Sequence, residues 1–223
     1  MASESEIIKA LSAIFKASNS GMVVGIGDDG AVAPASNKQI VMSSDMAVEG
    51  IHFKRNWSSL KEIGAKITAA NLADIYAMGG VPKYLLVSAG LPDNFTIPEV
   101  TELATGIKSE ADLVNCVVVG GDISKAKELV ITIAAIGEVE KPVTRSGAKV
   151  GDKVFISNLP GFSAAGLAQL NIGVRESKYL SLHKKPIVAY AKAKSFQGIH
   201  AMVHGSSIFR AKVHSHRNQP SLL

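Results

Sequence analysis

A mixed α/β or α+β fold is what this sequence predicts for its first 140 residues, and three observations carry the prediction. Short apolar runs of strand character alternate with segments whose apolar residues recur at helical spacing. Glycine and proline punctuate the changeovers, as at Gly79-Gly80-Val81-Pro82. The 223 residues, 47% of them apolar, suffice for a real core, built as one large domain or two small ones.

Taken in order, Ser3 and Glu6 form a capping-box pattern ahead of Ile7, Ile8, Leu11, Ile14 and Phe15, which predicts a short amphipathic helix. Val23-Val24-Gly25-Ile26 and Ile40-Val41-Met42 read as strands. A second helix is predicted from about Lys61 to Met78, capped by Ser58 or Ser59, with Ile63, Ile67 and Ile75 turned inward. Tyr84 to Ser88 reads as a strand. Pro98 and Glu99 open a helix to about Asn115, since proline suits the first helical turn. Val117–Val119 and Leu129–Ile136 complete the domain as strands, and it ends near Glu140.

Thr144 to Asp152 is a polar, glycine-punctuated link. Val154-Phe155-Ile156 reads as the first strand of a second unit, and Pro160-Gly161-Phe162-Ser163 leads into a small-residue helix, Ala164 to Leu170. From about residue 200 acids vanish and no period of 2 or 3.6 persists, while four of the six histidines (His200, His204, His214, His216) fall there. The expected organisation is residues 1–140 as a first domain, 141–200 as the opening of an incomplete second domain, and 201–223 as a disordered basic tail. Irregular histidine spacing without cysteines argues against a metal site in that tail.

Residues 175–223 carry nine Lys/Arg against one acid, and the first 174 carry fifteen against eighteen. The body is therefore mildly acidic and the net +5 belongs to the tail, which lacks the interleaved aromatics of a nucleic-acid platform. No apolar run approaches the ~18 residues that span a bilayer. The start lacks the basic and apolar regions of a signal peptide. The lone Cys116 sits in an apolar run and reads as a buried thiol in a reducing cytoplasm.

Five aspartates fall in four short motifs: Gly27-Asp28-Asp29-Gly30, Ser43-Ser44-Asp45, Asn71-Leu72-Ala73-Asp74 and Gly120-Gly121-Asp122. Three of the motifs follow predicted strands, where carboxylates can enter a shared cleft; the fourth lies on the second helix. Clustered carboxylates repel one another unless cations sit between them, and hard oxygen donors suit magnesium with substrate phosphates. Gly25-Ile26-Gly27-Asp28-Asp29-Gly30 matches a dinucleotide-binding pattern literally. However, Ala31-Val32-Ala33-Pro34 opens no helix, and two aspartates would repel a pyrophosphate. No phosphate-binding G-x-x-x-x-G-K-[ST] occurs either. Each acid also has a plainer reading: Asp28 and Asp29 as turn formers, Asp74 on a solvated helix face. Arg145 is either a phosphate clamp or solvated, and His52 either contacts substrate or is structural.

These motifs, with Ser43 through Phe53, Asn71 through Gly79, Thr144-Arg145-Ser146-Gly147-Ala148 and Pro160 through Leu167, resemble the ordered motifs of the thiamine-monophosphate kinase family over roughly residues 5–200. Gly30 departs from the cysteine or threonine common there. The resemblance implies a fold related to aminoimidazole-ribonucleotide synthetase, with an N-terminal α/β domain that pairs in a homodimer and a second α/β domain over the cleft. It implies ATP-dependent phosphorylation of thiamine monophosphate to thiamine diphosphate with several magnesium ions. By the same resemblance, Asp29, Ser43, Ser44, Asp45, Asp74 and Asp122 would bind magnesium, Gly121, Asp122 and Arg145 ATP, and His52 the thiamine phosphate. Selenophosphate synthetases share the fold but carry a reactive Cys/Sec and lysine near the N-terminus that are absent here, and aminoimidazole-ribonucleotide synthetases lack the Glu49–Phe53 segment in this form. Beyond Met202 the family pattern, an Asp-x-Ser-Asp-Gly motif, is replaced by Val203-His204-Gly205-Ser206-Ser207, which suggests a truncated or frameshifted product. Two expectations follow: a kinase, or a non-catalytic remnant that still dimerises or binds nucleotide.

Overall fold

The structure, a computed structural model, describes residues 3–15, 21–26, 30–144, 150, 161–191, 200–204 and 208–212. Four strands form its main sheet: β1 (Gln39–Val48), β2 (Val81–Leu91), β3 (Val117–Lys125) and β4 (Val130–Val139), in the order β1-β4-β2-β3. β4 runs antiparallel to both of its neighbours, while β2 and β3 are parallel. The parallel pair needs a crossover, which α3 (Ile97–Asp112) supplies. Along β4, Ile131, Ile133, Ala135, Gly137 and Val139 are buried and alternate with partly exposed residues, so one face of the sheet carries the core.

α2 (Leu60–Ala77) and α3 pack on that face. Ile63, Leu72 and Ile75 meet Leu85, Ile131 and Ile133, all essentially inaccessible to solvent. Burying each side chain of this size contributes about 1.5–3 kcal/mol. Both helices start with complete capping boxes, Ser59 with Glu62 and Thr96 with Glu99. The two helices touch backbone to backbone. A Cβ added at Gly64 would lie 3.0 Å from the Ile107 amide nitrogen, and one at Gly106 2.8 Å from the Lys61 carbonyl carbon. α1 (Glu4–Phe15) packs against α3 through Ile7 and Phe15, and the expected Ser3–Glu6 cap is present.

Several sequence expectations are adjusted. In place of the strand expected over Val23–Ile26, the described residues hold β-bridges at Val24 and Ile26, the first of them antiparallel to Val32. β1 and β3 run beyond the ends expected at Met42 and Val119. Serine, aspartate and glycine are poor strand formers, but the β1–β4 ladder continues unbroken from Gln39↔Val139 to Val48↔Val130 and overrides them. β3 likewise passes through Gly120-Gly121-Asp122, with an irregularity opposite Leu85/Leu86. The expected strand Val154–Ile156 lies outside the described residues.

Past the sheet, α4 (Phe162–Asn171) pairs with α5 (Lys178–Lys184), with the rings of Phe162 and Tyr179 5.7 Å apart. His183 Nδ1 stands 3.1 Å from both the hydroxyl and the carbonyl oxygen of Ser163. Tyr190 then docks against α2 and α3. Its hydroxyl donates to Glu110 Oε1 at 2.7 Å, and its ring lies 5.5 Å from that of Tyr76. In the segment expected to lack regular structure, β5 (His200–His204) pairs antiparallel with β6 (Ile208–Lys212).

Candidate functional site

Strand alternation decides which of the predicted residues meet. On β1, Val41 and Ala47 are buried toward the helices, and Ser43 and Asp45 share their face. Ser44 therefore points to the opposite side, with the exposed Ile40, Met42 and Met46. Ser43 Oγ donates to Asp74 Oδ2 at 2.8 Å, so Asp74 on α2 faces β1 rather than standing on a solvated helix surface. β1 is an edge strand, and edge amides pointing away from the sheet lack ladder partners. The Asp45 amide finds a partner in a side chain: it donates to Asn71 Oδ1 at 3.1 Å.

Ser43, Asp45 and Asp74 thus form one oxygen-rich cluster between β1 and α2. Burial holds the Asp45 carboxyl above the ordinary carboxylate range; the charge of Asp74 adds to the rise and His52 opposes it. A cation between the two carboxylates would relieve that repulsion. Two carboxylates and a hydroxyl are hard donors that fit magnesium, which takes one or two carboxylates and fills its shell with water and phosphate oxygens. Among the described residues no three His, Cys, Asp or Glu side chains converge as a closed metal cage.

His52 stands beside this cluster on the turn that ends β1. Gly50 takes φ +84° there, a conformation few other residues tolerate. The Val48 amide donates to His52 Nδ1 at 3.0 Å. An accepting Nδ1 places the proton of the neutral ring on Nε2, so His52 presents an N–H donor outward. Arg55 braces the turn: its Nε lies 2.8 Å from Glu49 Oε1, its guanidinium 3.5 Å from Glu99 at the start of α3, and it rests over Phe95.

Asp122 is on β3, opposite Ser88, and shares the outer face of the sheet with Ser44. β1 and β3 are the two edges, three strand spacings or about 14 Å apart. The structure therefore does not gather Asp122 or the Ser44 side chain with the Ser43–Asp45–Asp74 cluster. Gly121 and Asp122 instead line a cavity of about 1170 Å³ between the outer face, α1 and the segment around residues 22–36. Ile26 and Gly30, on either side of the first acidic motif, line the same cavity. Asp29 and Arg145 lie outside the described residues.

Two site residues carried no assigned role in the sequence reading. Asn71 has a faint signal, an amide in an apolar helical stretch three residues before Asp74. Arg55 has none, because its partners come from a turn and a distant helix.

The mixed sheet with two helices on one face and carboxylates at its edge strand defines a class. The chain belongs to the family described as AIR synthase related protein, N-terminal domain, which matches residues 27–139. Within that class it is similar to the thiamine-monophosphate kinase of Bacillus subtilis, 40% identical over 179 residues, which cover 75% of this chain and 55% of that protein. The crystal structure of thiamine monophosphate kinase from Aquifex aeolicus superposes with a TM-score of 0.70 at 32% identity, over 75% of this chain and 60% of that one. AaThiL complexed with AMPPCP and TMP superposes at 0.71 and 30% identity, over 89% and 64%. The chain spans about half the length of the curated relatives it matches.

Proposed function

We propose that this chain transfers the terminal phosphoryl group of ATP directly to the phosphate of thiamine monophosphate, giving thiamine diphosphate and ADP. The observation that carries the reading is the Ser43–Asp45–Asp74 cluster, in which two mutually repelling carboxylates are held together by the fold. Similarity to thiamine-monophosphate kinases, one of them complexed with AMPPCP and TMP, supports the choice of substrates.

The acceptor is already a phosphate oxyanion, so no strong base is required. The work is positioning two polyanions in line and neutralising charge as it develops. Magnesium, when bound, would supply that neutralisation. Asp45 and Asp74 would hold it, with Ser43 keeping one Asp74 oxygen oriented. The outward Nε2–H of His52 would donate to the thiamine phosphate. Ser44 and Asp122 stand across the sheet, so their proposed metal roles require cation positions separate from the Asp45–Asp74 pair. The proposed ATP contacts are Gly121 and Asp122, at the rim of the cavity, together with Arg145; Asp29 completes the proposed magnesium set.

We further propose a homodimer through the outer face of the sheet. Ile40, Met42, Met46 and Leu86 form an exposed apolar surface there, which a second copy would cover. Among the described residues no helix is long and apolar enough to cross a membrane, and Cys116 is a buried thiol pushed up to about 12, an inert group suited to the cytoplasm we propose.

The test is ADP release by the 223-residue chain, coupled to a dehydrogenase readout, with and without thiamine monophosphate. Substrate-dependent ADP release is expected, together with a loss of at least about 100-fold in Asp45→Asn at unchanged circular dichroism. Near-normal turnover by that variant, or ADP release indifferent to thiamine monophosphate, sinks the assignment.

A further inference from the structure

We infer that Asn71 is the positioning residue of the carboxylate cluster: it ties the Asp45 backbone to α2 so that the Asp45 carboxyl stands opposite Asp74. The inference rests on the magnesium reading proposed above. Asn71 is fully buried, and both ends of its amide are used. Oδ1 accepts from the Asp45 N–H at 3.1 Å, and Nδ2 donates to the Ile67 carbonyl at 3.0 Å. Asparagine is a poor helix former, roughly 0.6 kcal/mol worse than alanine, and a buried amide is unfavourable unless both ends are satisfied. A leucine of similar size would serve helix and core better. What leucine cannot do is accept the edge-strand amide.

The geometry of the second contact gives the clamp its purpose. Asp74 lies three residues beyond Asn71, on the same side of α2. Ser43 lies two residues before Asp45, on the same side of β1. The bonds Ser43–Asp74 and Asp45–Asn71 are therefore two rungs between one strand and one helix, about 6.7 Å apart along the strand and about 4.5 Å apart along the helix. With both rungs closed, β1 can neither slide nor rotate against α2, and the separation of the two carboxyl groups is set. Losing the Asn71 rung leaves Asp45 on a free edge, anchored only through β4.

Mn²⁺, titrated into the 223-residue chain and followed by electron paramagnetic resonance, is the probe. Asn71→Leu removes the acceptor at nearly constant volume. Asn71→Thr is the milder variant, since its hydroxyl can bond to the Ile67 carbonyl as Thr68 Oγ1 does to Gly64 O, but it cannot reach β1. Partners that orient metal ligands are typically worth 10–100-fold in affinity. A drop of that size is expected in both variants, with faster hydrogen exchange at the Asp45 amide. Thr68→Val removes a neighbouring buried hydroxyl whose bond stays inside the helix, and it should leave Mn²⁺ affinity within about twofold. A folded Asn71→Thr variant with wild-type affinity overturns the role, and so does an equal loss in Thr68→Val. Absence of Mn²⁺ binding by the unmodified chain counts against the magnesium reading itself, a result distinct from either.

Discussion

Replacing Gly106 with alanine tests the helix crossing that sets where α2 sits on the sheet. The added Cβ would lie 2.8 Å from the Lys61 carbonyl carbon and closer still to its oxygen. Unstrained carbon–carbon contacts begin near 3.5 Å, so α2 and α3 must part by roughly 1 Å. Overpacking of this kind costs about 1–3 kcal/mol. A clash with backbone atoms falls in the upper part of that range, about 2–3 kcal/mol, and alanine returns up to about 1 kcal/mol of helix propensity, leaving a net loss of roughly 1–2 kcal/mol. For a chain of this size that corresponds to a fall in Tm of about 2–8 °C, readable by differential scanning calorimetry. Gly64 lies in the same crossing, 3.0 Å from the Ile107 amide nitrogen, so Gly64→Ala combined with Gly106→Ala should cost less than the two effects added: one separation relieves both. Gly21→Ala, with nothing within 4 Å of its added carbon, is the control and should leave Tm unchanged. A Gly106→Ala variant as stable as the parent would refute the backbone-to-backbone crossing.

Two further predictions address the buried acid and the outer sheet face. Burial raises the Glu110 carboxyl above its ordinary value, against the opposing bond from Tyr190 and the charge of Lys185. The unfolded chain therefore ionises first, and this group's contribution to stability is fully present below about pH 4.5 and is lost as pH rises toward the folded value. Glu110→Gln, which keeps an acceptor for Tyr190, should flatten that part of the pH–stability curve measured by urea melts; an unchanged slope would refute the assignment. Met42 is exposed at 72% on the outer face, so Met42→Lys should leave folding intact and weaken a homodimer by roughly 100-fold or more in sedimentation velocity. Unaltered self-association would place the interface elsewhere.

The elements themselves were legible because their signals are local. The Ser3–Glu6 cap, the apolar spacing of α2 and Pro98 in the first turn of α3 appear where the pattern puts them, and of the two serines offered as the cap of α2 the structure uses Ser59. The ends of β1 and β3 were not legible: serines, glycines and aspartates look like strand exits until a neighbouring ladder holds them in line. The acidic motifs were legible as a set of residues but not as an arrangement in space. Alternation assigns faces only once a strand is known to continue, and it was the ladder, not the spacing, that carried β1 and β3 through these motifs.

What the sequence by itself determined was a mixed α/β domain with aspartates in four short motifs, whose order resembles that of thiamine-monophosphate kinases. Residue type and local periodicity are enough for that, since caps, strand runs and hard donors are properties of short segments. Only the tertiary structure decided that Ser43, Asp45 and Asp74 stand together while Ser44 and Asp122 lie across the sheet. It also made a clamp of Asn71, which pattern alone marks only as a polar residue in an apolar helix. The physical reason is the two-residue alternation of a strand combined with ladder register, which assigns faces through partners nearly a hundred residues away.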